Sequence, residues 1–142
     1  MLCREVMTKK VIWVASTDSA GVAARVMRDA DVGFLAVCDF DTSSVIGVIT
    51  DRDIAIRLVA DDRPASTPVT DVMTRGFLSC KPDEDVVTAE RLMGKHQKAR
   101  ILCIDGDQNL VGVISLADLT RREEVARVTE TLTREGNGSS SM

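Results

Sequence analysis

The feature that most constrains this chain is an internal duplication. The stretch Val45-Ile46-Gly47-Val48-Ile49-Thr50-Asp51-Arg52-Asp53-Ile54-Ala55-Ile56-Arg57 returns as Leu110-Val111-Gly112-Val113-Ile114-Ser115-Leu116-Ala117-Asp118-Leu119. Upstream, Val6-Met7-Thr8 recurs as Val72-Met73-Thr74, Ala23 and Met27 as Ala89 and Met93, and Asp39 as Asp105, all at one spacing without a gap. The register slips only in the turn after Asp39, where Phe40-Asp41-Thr42-Ser43-Ser44 is one residue longer than Gly106-Asp107-Gln108-Asn109, and turns tolerate insertion. A duplication of this extent predicts two like units packed face to face about a pseudo-two-fold axis.

Each unit reads as β-α-β-β-α, which places the chain in the α/β (α+β) class. In the first, Val11 to Val14 is a short strand, Thr17, Asp18 and Ser19 offer helix caps, and Val22, Ala23, Val26, Met27 and Ala30 form one apolar helix stripe. Phe34 to Cys38 and Val45 to Thr50 read as a hairpin, followed by a helix from Asp51 to about Ala60. Asp61 to Pro68, with two prolines, reads as a linker. The second unit predicts strands around Phe77 to Cys80, at Arg100 to Ile104 and at Leu110 to Ser115, with a helix from about Glu84 to Lys95. The repeats divide as 1–66, with the linker, and 67–135, leaving 136–142 as a disordered Gly/Ser tail. The last helix is expected to run from Asp118 to about Glu135, with Val125, Val128 and Leu132 covering either their own module or a second copy. Neither repeat alone has a large core, so packing the two together is what makes burial sufficient.

In both copies a strand ends in a hydroxyl residue followed three positions later by Asp, the pattern G-x-x-[ST]-x-x-D. One reading is purely structural: Thr50 and Ser115 cap helices, and Asp53 and Asp118 sit in the first turn where the helix dipole favours a negative group. The other uses the same groups for a ligand, since free N–H groups at a helix start attract phosphate and a nearby carboxylate accepts ribose hydroxyls.

Composition narrows the classes. With 142 residues, 28% charged and a formal charge of −4, the chain lacks the basic face of a general nucleic-acid binder, and 3% aromatic residues leave little for base-stacking platforms. The N-terminus has no signal-peptide pattern and no run is long enough to span a bilayer, so no membrane association and a cytoplasmic location are expected. Cys3, Cys38, Cys80 and Cys103 form no C-x-x-C pair and the last three fall in apolar strands, which reads as buried free thiols; the only histidine, His96, has no second ligand near it and reads as a surface residue. There is no G-x-S-x-G, H-E-x-x-H, P-loop or G-x-G-x-x-G, so an enzyme is not expected and no cofactor is required.

The D-V-M-T opening, the apolar strands ending in Asp39 and Asp105, and G-V-I-T-D-R-D with G-V-I-S-L-A-D occur twice in one order. From about Cys3 to about Arg122 the chain resembles a tandem pair of CBS (cystathionine-β-synthase type) domains, a Bateman module, of the stand-alone bacterial kind. That resemblance implies an adenine nucleotide or related adenosyl ligand (AMP, ADP, ATP or S-adenosylmethionine) in the clefts between repeats, a regulatory role, association into a homodimer and an unidentified effector protein. It implies that Asp53 and Asp118 take ribose hydroxyls, that Thr50 and Ser115 lie beside ribose or phosphate, and that Val48 and Val113 flank the base. It further implies that the Asp53 site recruits Leu78, Lys98 and Arg100 from the other repeat and that the Asp118 site recruits Ile12, Val32 and Phe34. Arg52, Lys98 and Arg100 would then pair with phosphate at the first site, although each taken alone reads as a solvated face. Ala117 replaces Arg52 at the second, where Asp31 and Gly33 approach. A phosphorylated adenosine is therefore expected to prefer the Asp53 site, with the other empty or holding something less anionic. A ligand-free scaffold and a detached regulatory part of an enzyme or transporter remain as alternatives.

Overall fold

The computed structural model of the chain describes residues 1–120 and residue 128. A short helix α1 (Cys3–Val6) precedes β1 (Trp13–Ala15), α2 (Ala20–Ala30), β2 (Phe34–Cys38), β3 (Val45–Thr50) and α3 (Asp51–Asp53), which continues as a π-helical stretch over Ile54–Val59. After a 3-10 turn at Val69–Asp71 come β4 (Ser79–Cys80), α4 (Val86–His96), β5 (Arg100–Ile104), β6 (Leu110–Ser115) and a helix α5 over 116–120. The two sheets have orders β1-β2-β3 and β4-β5-β6, and in each the first pair is parallel and the second antiparallel.

Local chemistry explains the matching elements. Ser19 Oγ accepts from the Val22 N–H at 3.2 Å and Asp85 Oδ1 from the Val87 N–H at 2.9 Å, so α2 and α4 both start on side-chain caps. Both end on a left-handed residue, Asp31 at φ 54° and Gln97 at φ 52°, which stops each helix three residues before the next strand. The hairpin turns are pinned by Asp39, whose Oδ1 accepts from the Thr42 and Asp41 N–H groups, and by Asp105, whose Oδ1 accepts from Asn109 and Asp107. These backbone donors hold both carboxyls below their ordinary range.

Two strands are shorter than expected. β1 begins at Trp13 and β4 at Ser79, because the ladder to β2 and β5 closes only at Trp13↔Ala36 and Ser79↔Leu102. The helix after Asp51 forms as expected but with π spacing, the Ala60 N–H reaching back to the Ala55 carbonyl at 3.0 Å. Expectations for the tail 136–142 and for the Val125 to Leu132 stripe lie outside the described residues, apart from Val128, which is helical and exposed.

The cores show an exchange between the copies. The first cluster gathers Val14, Ala23, Met27, Leu35, Ile49 and Leu58, together with Val69, Val72 and Met73 from the segment that opens the second copy. The second gathers Ala89, Met93, Ile101, Cys103 and Ile114, with Cys3, Val6 and Met7 from the start of the chain packed into it. Each opening segment therefore lies on the other copy's last strand. Thr74 bridges Val48 and Thr8 bridges Val113 through backbone hydrogen bonds of 2.7–3.1 Å. Gly47 and Gly112 make this approach feasible: a Cβ at Gly47 would meet the Met73 sulfur at 2.8 Å, and one at Gly112 would strike that of Met7. The Asp61 to Pro68 linker is itself anchored, with its Ala65 and Thr67 carbonyls accepting from the N–H groups of Gly21 and Ala20 at the start of α2.

All four cysteines are free and buried, and His96 is exposed. Cys80 and Cys103 face each other across β4 and β5 with their sulfurs 3.5 Å apart. Burial, then the neighbouring Cys80, push the Cys3 thiol up to about 12, and the hydrogen bond with Cys103 together with burial pushes Cys80 up as well.

Candidate functional site

The first copy's strand-to-helix turn lines a cleft between the copies, whereas Ser115 and Asp118 of the second do not line the equivalent one. At the first turn the capping box is complete: Thr50 Oγ1 accepts from the Asp53 N–H and Asp53 Oδ2 accepts from the Thr50 N–H, both at 3.1 Å. The Asp53 carboxylate, whose side chain is 13% exposed, also accepts from Thr74 Oγ1 and lies 3.9 Å from Arg57 Nε. Arg57 Nη1 donates to the Met73 carbonyl at 2.8 Å, so the Val-Met-Thr segment of the second copy is fastened to this helix start. At the second turn Ser115 Oγ accepts from the Asp118 N–H at 3.1 Å.

A cleft of about 220 Å³ opens beside the first turn. Phe34, Val48, Thr50 and Asp53 line it from the first copy, and Thr74, Phe77, Leu78, Lys98 and Arg100 from the second. Among the described residues neither Lys98 nor Arg100 has a carboxylate within ion-pair distance. Both are exposed cations facing a partly apolar cleft, with a carboxylate and a hydroxyl on its opposite wall. That arrangement suits a ligand with an apolar planar part, hydroxyl donors and an anionic end.

Of the residues named from sequence for this site, Val48, Thr50, Asp53, Leu78, Lys98 and Arg100 are brought together, and Arg52 is not. Arg52 is exposed and lies one residue from Asp53, about 100° round the helix axis, so the cap that turns Asp53 into the cleft carries Arg52 away from it. Phe77 and Thr74 were missed. Thr74 was visible as the last residue of the repeated Val-Met-Thr, but nothing local shows that this segment crosses to the other copy's strand.

A second cleft of about 340 Å³ lies at the pseudo-equivalent place. Ile12, Val32, Phe34 and Val113 line it as named, with Thr8, Lys10, Asp31 and Arg100. Ser115 and Asp118 are half-buried but form no part of its wall. Lys10 is a cation that the sequence reading did not place there.

A family model described as CBS domain matches residues 3–60 and again residues 69–124. The chain belongs to the CBS domain family. The matched segments are the two copies, so the module is a CBS pair. The chain is 35% identical over 116 residues to the CBS domain-containing protein YhcV of Bacillus subtilis (strain 168), covering 82% of this chain and 81% of that one. Two solved structures share the fold at lower identity. The CBS domain pair of protein MJ0100, in complex with 5′-methylthioadenosine and S-adenosyl-L-methionine, aligns with a TM-score of 0.77 at 23% identity over 89% of this chain and 98% of that one. The CBS domain protein PAE2072 from Pyrobaculum aerophilum, complexed with AMP, aligns at 0.76 and 21% identity over 84% and 90%. Among the described residues there is no group of ligating side chains suited to a metal ion, and no helix long and apolar enough to cross a membrane.

Proposed function

We propose that this CBS pair is a regulatory module that binds an adenosyl nucleotide in the Asp53 cleft and signals its occupancy to a partner protein. The observation that carries the reading is the convergence of Thr50 and Asp53, from one copy, with Lys98 and Arg100 of the other, neither in an ion pair among the described residues, around a single partly apolar cleft. The ribose hydroxyls donate to Asp53, the base lies between Val48 and Leu78, and the phosphate takes Lys98 and Arg100. The adenosyl ligands of the MJ0100 and PAE2072 pairs support this chemistry. Because the ligand touches both copies, it favours one arrangement of the two over others, and only such a differential affinity produces a signal. The module acts as a homodimer, for which the exposed Ile56 and Val59 after the first cap and Leu116 after the second supply apolar surface. It works in the cytoplasm and needs no catalytic residue.

One observation favours the scaffold reading: the capping box satisfies Thr50 and Asp53 with no ligand. A thermal-shift panel of AMP, ADP, ATP, S-adenosylmethionine and guanosine nucleotides separates the two. A ligand held only by the native state adds about 2.7 kcal/mol at a hundred times its dissociation constant. A rise with adenosyl compounds and not with guanosine compounds supports the sensor. No rise with any of them at millimolar concentration supports the scaffold.

A further inference from the structure

Phe34 and Arg100 are the first residues of β2 and β5, the same position in the two copies. They meet between the clefts, the Arg100 guanidinium 5.1 Å from the centroid of the Phe34 ring, and both residues line both clefts. The other cations are private: Lys98 faces only the Asp53 cleft and Lys10 only the second. In the second cleft Lys10 is opposed by Asp31, and the Asp51 carboxylate lies against Gly33 in the same wall. Without Arg100, the described residues that line the second cleft therefore carry no net positive charge.

We propose that Arg100 is a single anion-binding group shared by the two clefts, so that a phosphorylated ligand in the Asp53 cleft lowers the affinity of the second cleft for another. The inference rests on the nucleotide reading above and adds how the two sites are coupled. With no ligand the guanidinium is parked on the ring, a contact that holds it at the midline and leaves its in-plane donors available. A guanidinium recognises phosphate through one planar edge, and turning that edge into one cleft turns it from the other. The second phosphate then meets Asp31, Asp51 and the charge of the first ligand with Lys10, among the described residues, in its favour. The first ligand takes Arg100 at no such disadvantage, because Lys98 already draws it to the Asp53 cleft.

Calorimetric titration of the full chain with AMP tests this. In the wild type the second equivalent binds at least tenfold more weakly than the first. Arg100→Gln weakens the first step about tenfold and leaves the second unchanged, because by then the guanidinium is engaged in the Asp53 cleft, so the gap between the steps narrows. In Asp53→Ala, where the second cleft fills alone, Arg100→Gln weakens AMP binding too, and no weakening there overturns the sharing. Arg100→Lys, which keeps the charge, retains most of the gap. Equal weakening of both steps by Arg100→Gln, or no effect on either, overturns the shared-cation assignment while leaving the nucleotide reading intact. No AMP binding by the wild type overturns the nucleotide reading, and this inference with it.

Discussion

Thr74 Oγ1 donates to the Asp53 carboxylate at 3.2 Å from one oxygen and 3.3 Å from the other, joining the opening segment of one CBS copy to the helix start of the other. The hydroxyl is part-buried and its partner is ionised, so the bond is stronger than a neutral surface one. Thr74→Val keeps the shape and removes the donor. It is expected to cost about 1 kcal/mol in urea unfolding. Thr120→Val, whose hydroxyl donates to the Leu116 carbonyl on an exposed helix face, should cost less.

The exchange of opening segments depends on Gly47. A Cβ there meets the Met73 sulfur and the Thr74 carbonyl oxygen, both at 2.8 Å, and the carbonyl belongs to the bridge with Val48 and has no room to shift. Gly47→Ala should therefore destabilise by about 1–3 kcal/mol. Gly76→Ala, where the added methyl meets nothing within 4 Å, is expected to be neutral or slightly stabilising by restricting the unfolded chain. Denaturant midpoints of the two variants check the contrast.

The buried thiols set an alkaline limit. Cys3 is raised from 9.0 to about 12, and Cys80 is raised too, so the unfolded chain releases these protons at lower pH than the folded one. Stability is then full below about pH 9 and falls as pH climbs through that window, since the unfolded state binds fewer protons there. Urea midpoints measured from pH 7 to 10.5 should decline above pH 9, and Cys3→Ala should flatten the decline. At neutral pH the protonated, buried thiols should react with a disulfide reagent only as fast as the structure opens.

The strands at Phe34 to Cys38, Val45 to Thr50, Arg100 to Ile104 and Leu110 to Ser115 were legible in the sequence because each is an apolar run bounded by turn or cap chemistry. Val11 and Phe77 lie outside their strands although the local pattern includes them, since a strand ends where its neighbour's ladder does. The placement of Met7 on Gly112 and Met73 on Gly47 was not legible: it is a long-range exchange with no periodic signature. The Asp53 cleft was readable as far as the family pattern reached. Arg52 is exposed and does not line the cleft, because the 100° turn per residue that brings Asp53 in carries its neighbour round the helix. The Arg100 and Phe34 contact required knowing that the two strand starts meet.

The most direct measurement is an equilibrium titration of AMP into the wild type, Asp53→Ala and Asp118→Ala, each first shown by circular dichroism to be folded. Loss of the cap lowers the melting point of Asp53→Ala by an amount equivalent to about 1 kcal/mol, so all three are compared well below their transitions. The account predicts that the tight AMP step vanishes in Asp53→Ala and persists in Asp118→Ala. Unchanged tight binding in Asp53→Ala, or loss of it only in Asp118→Ala, would contradict it.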